Sequence, residues 1–235
     1  MEIIILVGGK GTRLRSLVSD RPKPLADVNG KPFIEYIMDY LLQQGASHFI
    51  LATGFMKKMF RTHFGDSYNE IPISFSEEVT PLGTGGAIVK AQALLQEKTP
   101  FFIVNGDTFF PIDLDQLLNF AIGNDSDIAI ALCRANENGR YGAAKLNEGN
   151  EIQLEKKAAP KGDLANGGIC VVTRQLNTNL VFSRGPVSFE DDLLPSLKDD
   201  GYKITGLPFG EYFVDVGTPQ DYLKFARDFK SSDQI

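Results

Sequence analysis

Near the amino terminus stands Glu2-Ile3-Ile4-Ile5-Leu6-Val7-Gly8-Gly9-Lys10-Gly11-Thr12-Arg13. The apolar run up to Val7 has the pattern of a buried strand. The glycines that follow let the backbone take conformations closed to residues with a Cβ, so amide N–H groups can turn toward one anion. Arg13 adds a permanent charge and a fork of donors. Val7, Gly8, Gly9, Gly11, Thr12 and Arg13 are therefore candidates for a phosphate-cradling, nucleotide-binding loop. The pattern is neither Gly-x-Gly-x-x-Gly nor the Gly-Lys-Ser/Thr ending of a P-loop, and no acidic residue closes the second strand. By itself a glycine triplet fits a tight structural turn equally well.

Outward from that loop, strand-like and helix-like segments alternate. Phe33–Gln44 spaces its apolar residues as a helix does, and Phe49–Thr53 reads as a second strand. Helices follow at Lys57–Phe64, Gly86–Leu95 and Leu114–Ile122, with strands at Ile71–Phe75, Phe101–Val104 and Asp127–Leu132. This order predicts an α/β fold: a doubly wound, mainly parallel, Rossmann-like sheet with helices on both faces. The second half has shorter strands around Ala143–Leu146, Ile152–Glu155 and Gly168–Thr173, which predict a small antiparallel insertion over the cleft. A helix from Ser188 through Lys198, strands at Tyr202–Leu207 and Tyr212–Val214, and a closing helix Pro219–Phe229 complete the pattern. A chain of 235 residues supports one domain, 1–235, with 1–135 as its mainly nucleotide-binding half and 136–235 as the other.

The net charge of −6 is spread along the chain, with no basic stripe to suggest nucleic acid. An acidic protein that handles phosphates must concentrate its cations or recruit a metal. In Arg21-Pro22-Lys23-Pro24-Leu25 two prolines fix the backbone around a lysine, so Lys23 is placed rather than mobile. Asp107, in Asn105-Gly106-Asp107, ends an apolar strand, and Asp215 stands similarly before Gly217-Thr218-Pro219. Strand carboxyl ends are where such sheets gather ligands, and Mg2+ takes one or two carboxylates plus phosphate oxygens. Turn capping is the competing reading for each Asp. Asp113-Leu114-Asp115 has an Asp-x-Asp form but opens a helix, where N-capping is the better reading. Cys133 and Cys170 are isolated in apolar stretches and read as buried thiols in a reducing compartment. His48 and His63 read as structural or surface residues. The first residues lack a basic leader, and no apolar run approaches the ~20 residues that span a bilayer. A soluble, cytoplasmic protein with no membrane partner is expected.

Gly-Gly-x-Gly-Thr-Arg-Leu followed by Pro-Lys-Pro-Leu resembles the signature of the sugar-1-phosphate nucleotidyltransferase family. The match runs on through Pro81-Leu82-Gly83-Thr84-Gly85-Gly86-Ala87, Asn105-Gly106-Asp107, Arg140-Tyr141-Gly142, Glu155-Lys156, Asn166-Gly167-Gly168 and Val214-Asp215-Val216-Gly217-Thr218-Pro219. The resemblance implies Arg13 and Lys23 as catalytic cations, Asp107 and Asp215 as ligands of Mg2+, and Gly83 and Gly85 against the base. It further implies Gly142, Glu155, Lys156, Asn166 and Glu190 at the sugar phosphate, with strand alternation pointing either Lys156 or Lys157 inward. Glu77 and Glu78 fit either a guanine edge or solvated strand-end charge. Where many members have Pro-Leu-Thr, this chain has Arg15-Ser16-Leu17-Val18, a departure from the thymidylyl and uridylyl branches that act on glucose 1-phosphate. Its motifs most resemble the branch that joins GTP to D-glycero-α-D-manno-heptose 1-phosphate. The mannose 1-phosphate guanylyl and N-acetylmuramate 1-phosphate uridylyl branches are the nearest alternatives. The reaction implied is transfer of a nucleotidyl group from an NTP to a sugar 1-phosphate, with pyrophosphate leaving.

Overall fold

In the computed structural model the described residues are 1–9, 14, 18, 20–135, 141–176 and 185–230. The first strand, β1 (Glu2–Leu6), is the pivot of the sheet. Parallel partners flank it: β2 (His48–Thr53) on one side and, farther along the chain, Phe101–Asn105 on the other. With β3 (Ile71–Glu77) beside β2, and Phe101–Asn105 taken as β4, the order β3-β2-β1-β4 is all parallel. β5 (Ile128–Arg134) and β9 (Ile204–Pro208) are parallel to each other. The long β8 (Leu164–Val172) joins the two groups, antiparallel to both β4 and β5.

A hairpin of β6 (Gly142–Leu146) and β7 (Ile152–Ala158) continues along β8. Since Ile169 pairs with Val104 whereas Ala165 pairs with Ala143, the hairpin extends the sheet beyond the carboxyl end of β4. The fold is the expected α/β architecture with a mostly parallel central sheet and small antiparallel additions.

Alternation on β1 divides the core in two. Ile3, Ile5 and Val7 face one layer with α1 (Phe33–Gln43), Phe60 of α2 (Lys57–Phe64), α4 (Leu114–Gly123) and α6 (Pro219–Asp228). Ile4 faces the other layer, with α3 (Gly83–Ala91) and α5 (Leu194–Asp199). Helices on both faces leave only the strand ends to meet solvent and ligands. Asp113 caps α4 by accepting from the Gln116 N–H at 2.9 Å, the capping role expected of it. Cys133 and Cys170 are buried free thiols, each pushed up to about 12 by burial. No helix among the described residues is long and apolar enough to cross a membrane.

Candidate active site

Three strand ends converge at the carboxyl edge. The Val7 N–H donates to the Ala52 carbonyl at 3.0 Å, and the Gly106 N–H donates to the Leu6 carbonyl at 3.0 Å. Gly106 approaches so closely that a Cβ there would lie 2.6 Å from Val7 Cγ1, which explains the glycine between Asn105 and Asp107. A two-residue antiparallel ladder pairs Asp215 with Thr108, so two acidic residues far apart in sequence become neighbours. The Val216 N–H donates to the Asp107 carbonyl at 3.0 Å and fixes the pair.

Lys23 sits in a 3-10 turn, Lys23–Leu25, after the extended Pro22. Its side chain is 8% exposed. Its ammonium donates to Asp107 Oδ2 at 2.7 Å and to Asp215 Oδ1 at 3.1 Å. One positive nitrogen thus lies within bonding distance of both carboxylates. That point, with two hard oxygen donors and an opening to the cleft, suits an ion that takes its remaining ligands from phosphate and water. Among the described residues no three His, Cys, Asp or Glu side chains converge, so two carboxylates are the protein's share of such a site.

The cleft above this point has a volume of about 680 Å3. Val7, Gly8, Gly9, Lys23, Glu78, Gly83 and Asp107 line it. A second cavity of about 240 Å3 is lined by Asn166, Ser188, Phe189 and Glu190. Leu6, Thr84 and Asn105 belong to both walls. Asn166 Nδ2 donates to Glu190 Oε1 at 2.6 Å across the smaller cavity.

The ambiguous pair Glu77 and Glu78 separates cleanly. Glu77 is held by Lys57 at 3.0 Å and Arg61 at 3.2 Å, and bonds from those cations lower its pKa. Glu78 turns into the cleft, where Oε2 accepts from the Leu82 N–H at 3.0 Å. Its Oε1 lies 3.5 Å from where a Cβ on Gly8 would stand. Gly83, with φ +75°, also has a reason beyond the cleft: a Cβ there would lie 2.4 Å from the Val187 carbonyl oxygen. Gly85 is packed against Ser188 and Leu193 and is not part of the cleft wall.

Glu155 lines neither cavity. It is paired with Lys145 at 2.5 Å across the β6–β7 hairpin, while Gly142 is pressed against the Glu155 carbonyl. The backbone of Lys156 lies in β7, and its side chain lies outside the described residues. So do Gly11, Thr12 and Arg13. Asn105 and Thr84, which line both cavities, carry no role from sequence reasoning. Strand-end polar residues beside Asp107 are the signal that points to Asn105; nothing local singles out Thr84, whose neighbour Phe189 is distant in sequence.

A cleft of nucleotide size at a parallel sheet's carboxyl edge, with a buried lysine between two aspartates, is a layout suited to a nucleotidyltransferase. The chain belongs to the nucleotidyl transferase family, whose model matches residues 2–232. It is 40% identical over 226 residues to the D-glycero-alpha-D-manno-heptose 1-phosphate guanylyltransferase of Campylobacter jejuni, covering 96% of this chain and 98% of that one. It is 39% identical over 230 residues to the protein of the same name from Aneurinibacillus thermoaerophilus, covering 98% and 99%. Among solved structures it resembles HddC from Yersinia pseudotuberculosis, described alone and complexed with GMP-PN. For that protein the TM-score is 0.82 at 29% identity, over 97% of this chain and 99% of that one.

Proposed function

We propose that this enzyme transfers GMP from GTP to D-glycero-α-D-manno-heptose 1-phosphate with the help of Mg2+, forming GDP-heptose for polysaccharide biosynthesis and releasing pyrophosphate. The observation that carries the guanine assignment is the Glu78 carboxylate turned into the larger cleft. A carboxylate only accepts, and guanine offers adjacent N–H donors along one edge, whereas uracil offers one N–H between two carbonyls. The full-length similarity to heptose 1-phosphate guanylyltransferases supports the acceptor.

The larger cleft takes the nucleotide, with Val7, Gly8, Gly9, Gly11, Thr12 and Arg13 around the phosphates and Gly83 near the base. The smaller cavity, with Asn166 and Glu190, takes the sugar phosphate. Gly142, Glu155 and Lys156 complete that side once the β6–β7 hairpin meets the acceptor, which requires Glu155 to leave Lys145. Residues 1–135 thus supply most of the nucleotide subsite and 136–235 most of the acceptor subsite, with Asp215 crossing between them.

An acceptor phosphate oxygen attacks the α-phosphorus in line. The bond to the bridging oxygen breaks and its electron pair leaves with pyrophosphate. The attacking oxygen is already an anion, so no general base is required, in keeping with the distant histidines. Asp107 and Asp215 would hold Mg2+, which when bound offsets charge on the phosphates. Lys23, on leaving the two carboxylates to the metal, and Arg13 bind phosphate oxygens and hold them in line, so the protein contributes positioning and charge. The reading carries with it a cytoplasmic setting, where two buried thiols stay reduced.

Pyrophosphate release, followed across four NTPs and a panel of sugar 1-phosphates, tests the assignment. The expected outcome is turnover with GTP and the heptose 1-phosphate above mannose 1-phosphate and N-acetylmuramate 1-phosphate. Turnover with UTP and not GTP would sink the guanylyl assignment.

A further inference from the structure

Thr84 stands in the first turn of α3 and belongs to the walls of both cavities. Its hydroxyl oxygen accepts from the Phe189 N–H at 2.8 Å. Around that bond the backbone is stitched on both sides. The Val187 N–H donates to the Leu82 carbonyl at 2.7 Å, and the Gly85 N–H donates to the Val187 carbonyl at 2.8 Å. The base-side turn and the turn that carries Glu190 are therefore one body, although about a hundred residues separate them. Backbone bonds secure Val187, and the Thr84 hydroxyl secures Phe189, two residues on. Glu190 follows immediately and accepts from Asn166 in the smaller cavity.

We infer that Thr84 is a positioning residue for the sugar 1-phosphate, acting through Phe189 on the Glu190–Asn166 pair. The inference rests on the smaller cavity being the acceptor subsite. Threonine suits the task because its β-branch restricts χ1 and so aims the acceptor oxygen. The side chain is exposed to the cavities, so a valine can replace it in shape without disturbing a packed core. Valine cannot accept, which leaves the Phe189 N–H without its partner.

The test compares Thr84→Val and Thr84→Ser with the unaltered enzyme, measuring KM for each substrate and hydrogen exchange at the Phe189 amide. Thr84→Val should raise the acceptor KM about tenfold, as loss of one hydrogen bond does, with a smaller change in the GTP KM, because the residue also lines the larger cleft. It should also speed exchange at Phe189, and Thr84→Ser should restore both. A general structural defect would move both KM values equally and would overturn the inference, as would an unchanged acceptor KM. Glu190→Gln and Asn166→Ala separate this from the underlying reading. If both leave the acceptor KM unchanged, the cavity is not the acceptor's, and the role of Thr84 falls with it. If they raise it while Thr84→Val does not, the subsite stands and the Thr84 inference alone is wrong.

Discussion

The two ends of β1 use polar groups in opposite ways. At its start, Glu2 is buried and fully engaged: His48 Nδ1 lies 2.7 Å from Oε1, and the Gln96 and Glu97 N–H groups donate to the carboxylate at 3.0 and 2.7 Å. His48 Nε2 continues to Ser74 Oγ at 2.9 Å, tying β1, β2 and β3 together. At the other end, Gly8, Glu78, Asn105 and Asp107 face an open cleft. A Ser–His–Glu chain resembles a nucleophilic triad in composition, yet it lines neither the larger cleft nor the smaller cavity. The difference teaches that residue type alone does not mark a site. What marks it is polar capacity left facing a space that a ligand can fill.

Substitutions at the two ends should separate activity from stability. Asp107→Asn should lower kcat on the order of 10²–10³-fold, the scale on which loss of one charge-stabilising group acts. Its thermal midpoint should stay near that of the unaltered protein, since Lys23 keeps Asp215 as a partner. An equal rate with Mg2+, measured by pyrophosphate release, would break the contrast. Glu78→Gln is next in size. The preference for GTP over UTP should fall about 10- to 100-fold, the worth of a hydrogen bond to a charged group, while the Leu82 contact persists.

Glu2→Gln should change activity least. Burial opposes the Glu2 charge, but the bond from His48 and those from the two N–H groups outweigh it and hold the carboxyl below its ordinary value. A depressed carboxyl stabilises the fold above its unfolded pKa of about 4.3 and loses that contribution as pH falls through the folded value. Glu2→Gln should therefore cost about 1–3 kcal/mol at pH 7 and flatten the acid limb of stability, read by urea melts at pH 7 and 4. Turnover per folded molecule should not change.

The sequence was most legible where local pattern and tertiary role agree. Strand β4 and helix α4 were readable, and Lys23, Asp107 and Asp215, each singled out by a proline-flanked turn or a strand end, lie together in the structure. Elsewhere distant contacts intervened. The helix expected from Gly86 begins at Gly83, where Val187 packs against the glycine, donates to the Leu82 carbonyl and accepts from the Gly85 N–H. The helix expected from Ser188 to Lys198 opens as a π turn, Phe189–Leu193, before α5. There the Leu194 N–H reaches the Phe189 carbonyl, and Pro195 has no N–H to resume the α ladder. The strand expected at Tyr212–Val214 is Val214–Asp215, set by pairing with Phe109 and Thr108. Glu77 and Glu78 were inseparable in sequence because Lys57 and Arg61, which claim Glu77 at the end of β3, come from α2.

The most direct test of the central claim follows the α-phosphate of GTP. With GTP labelled at that phosphorus, heptose 1-phosphate and Mg2+, the label should appear in a nucleotide sugar as unlabelled pyrophosphate is released. Label that stays in GTP or emerges only as free GMP would contradict nucleotidyl transfer to the sugar phosphate.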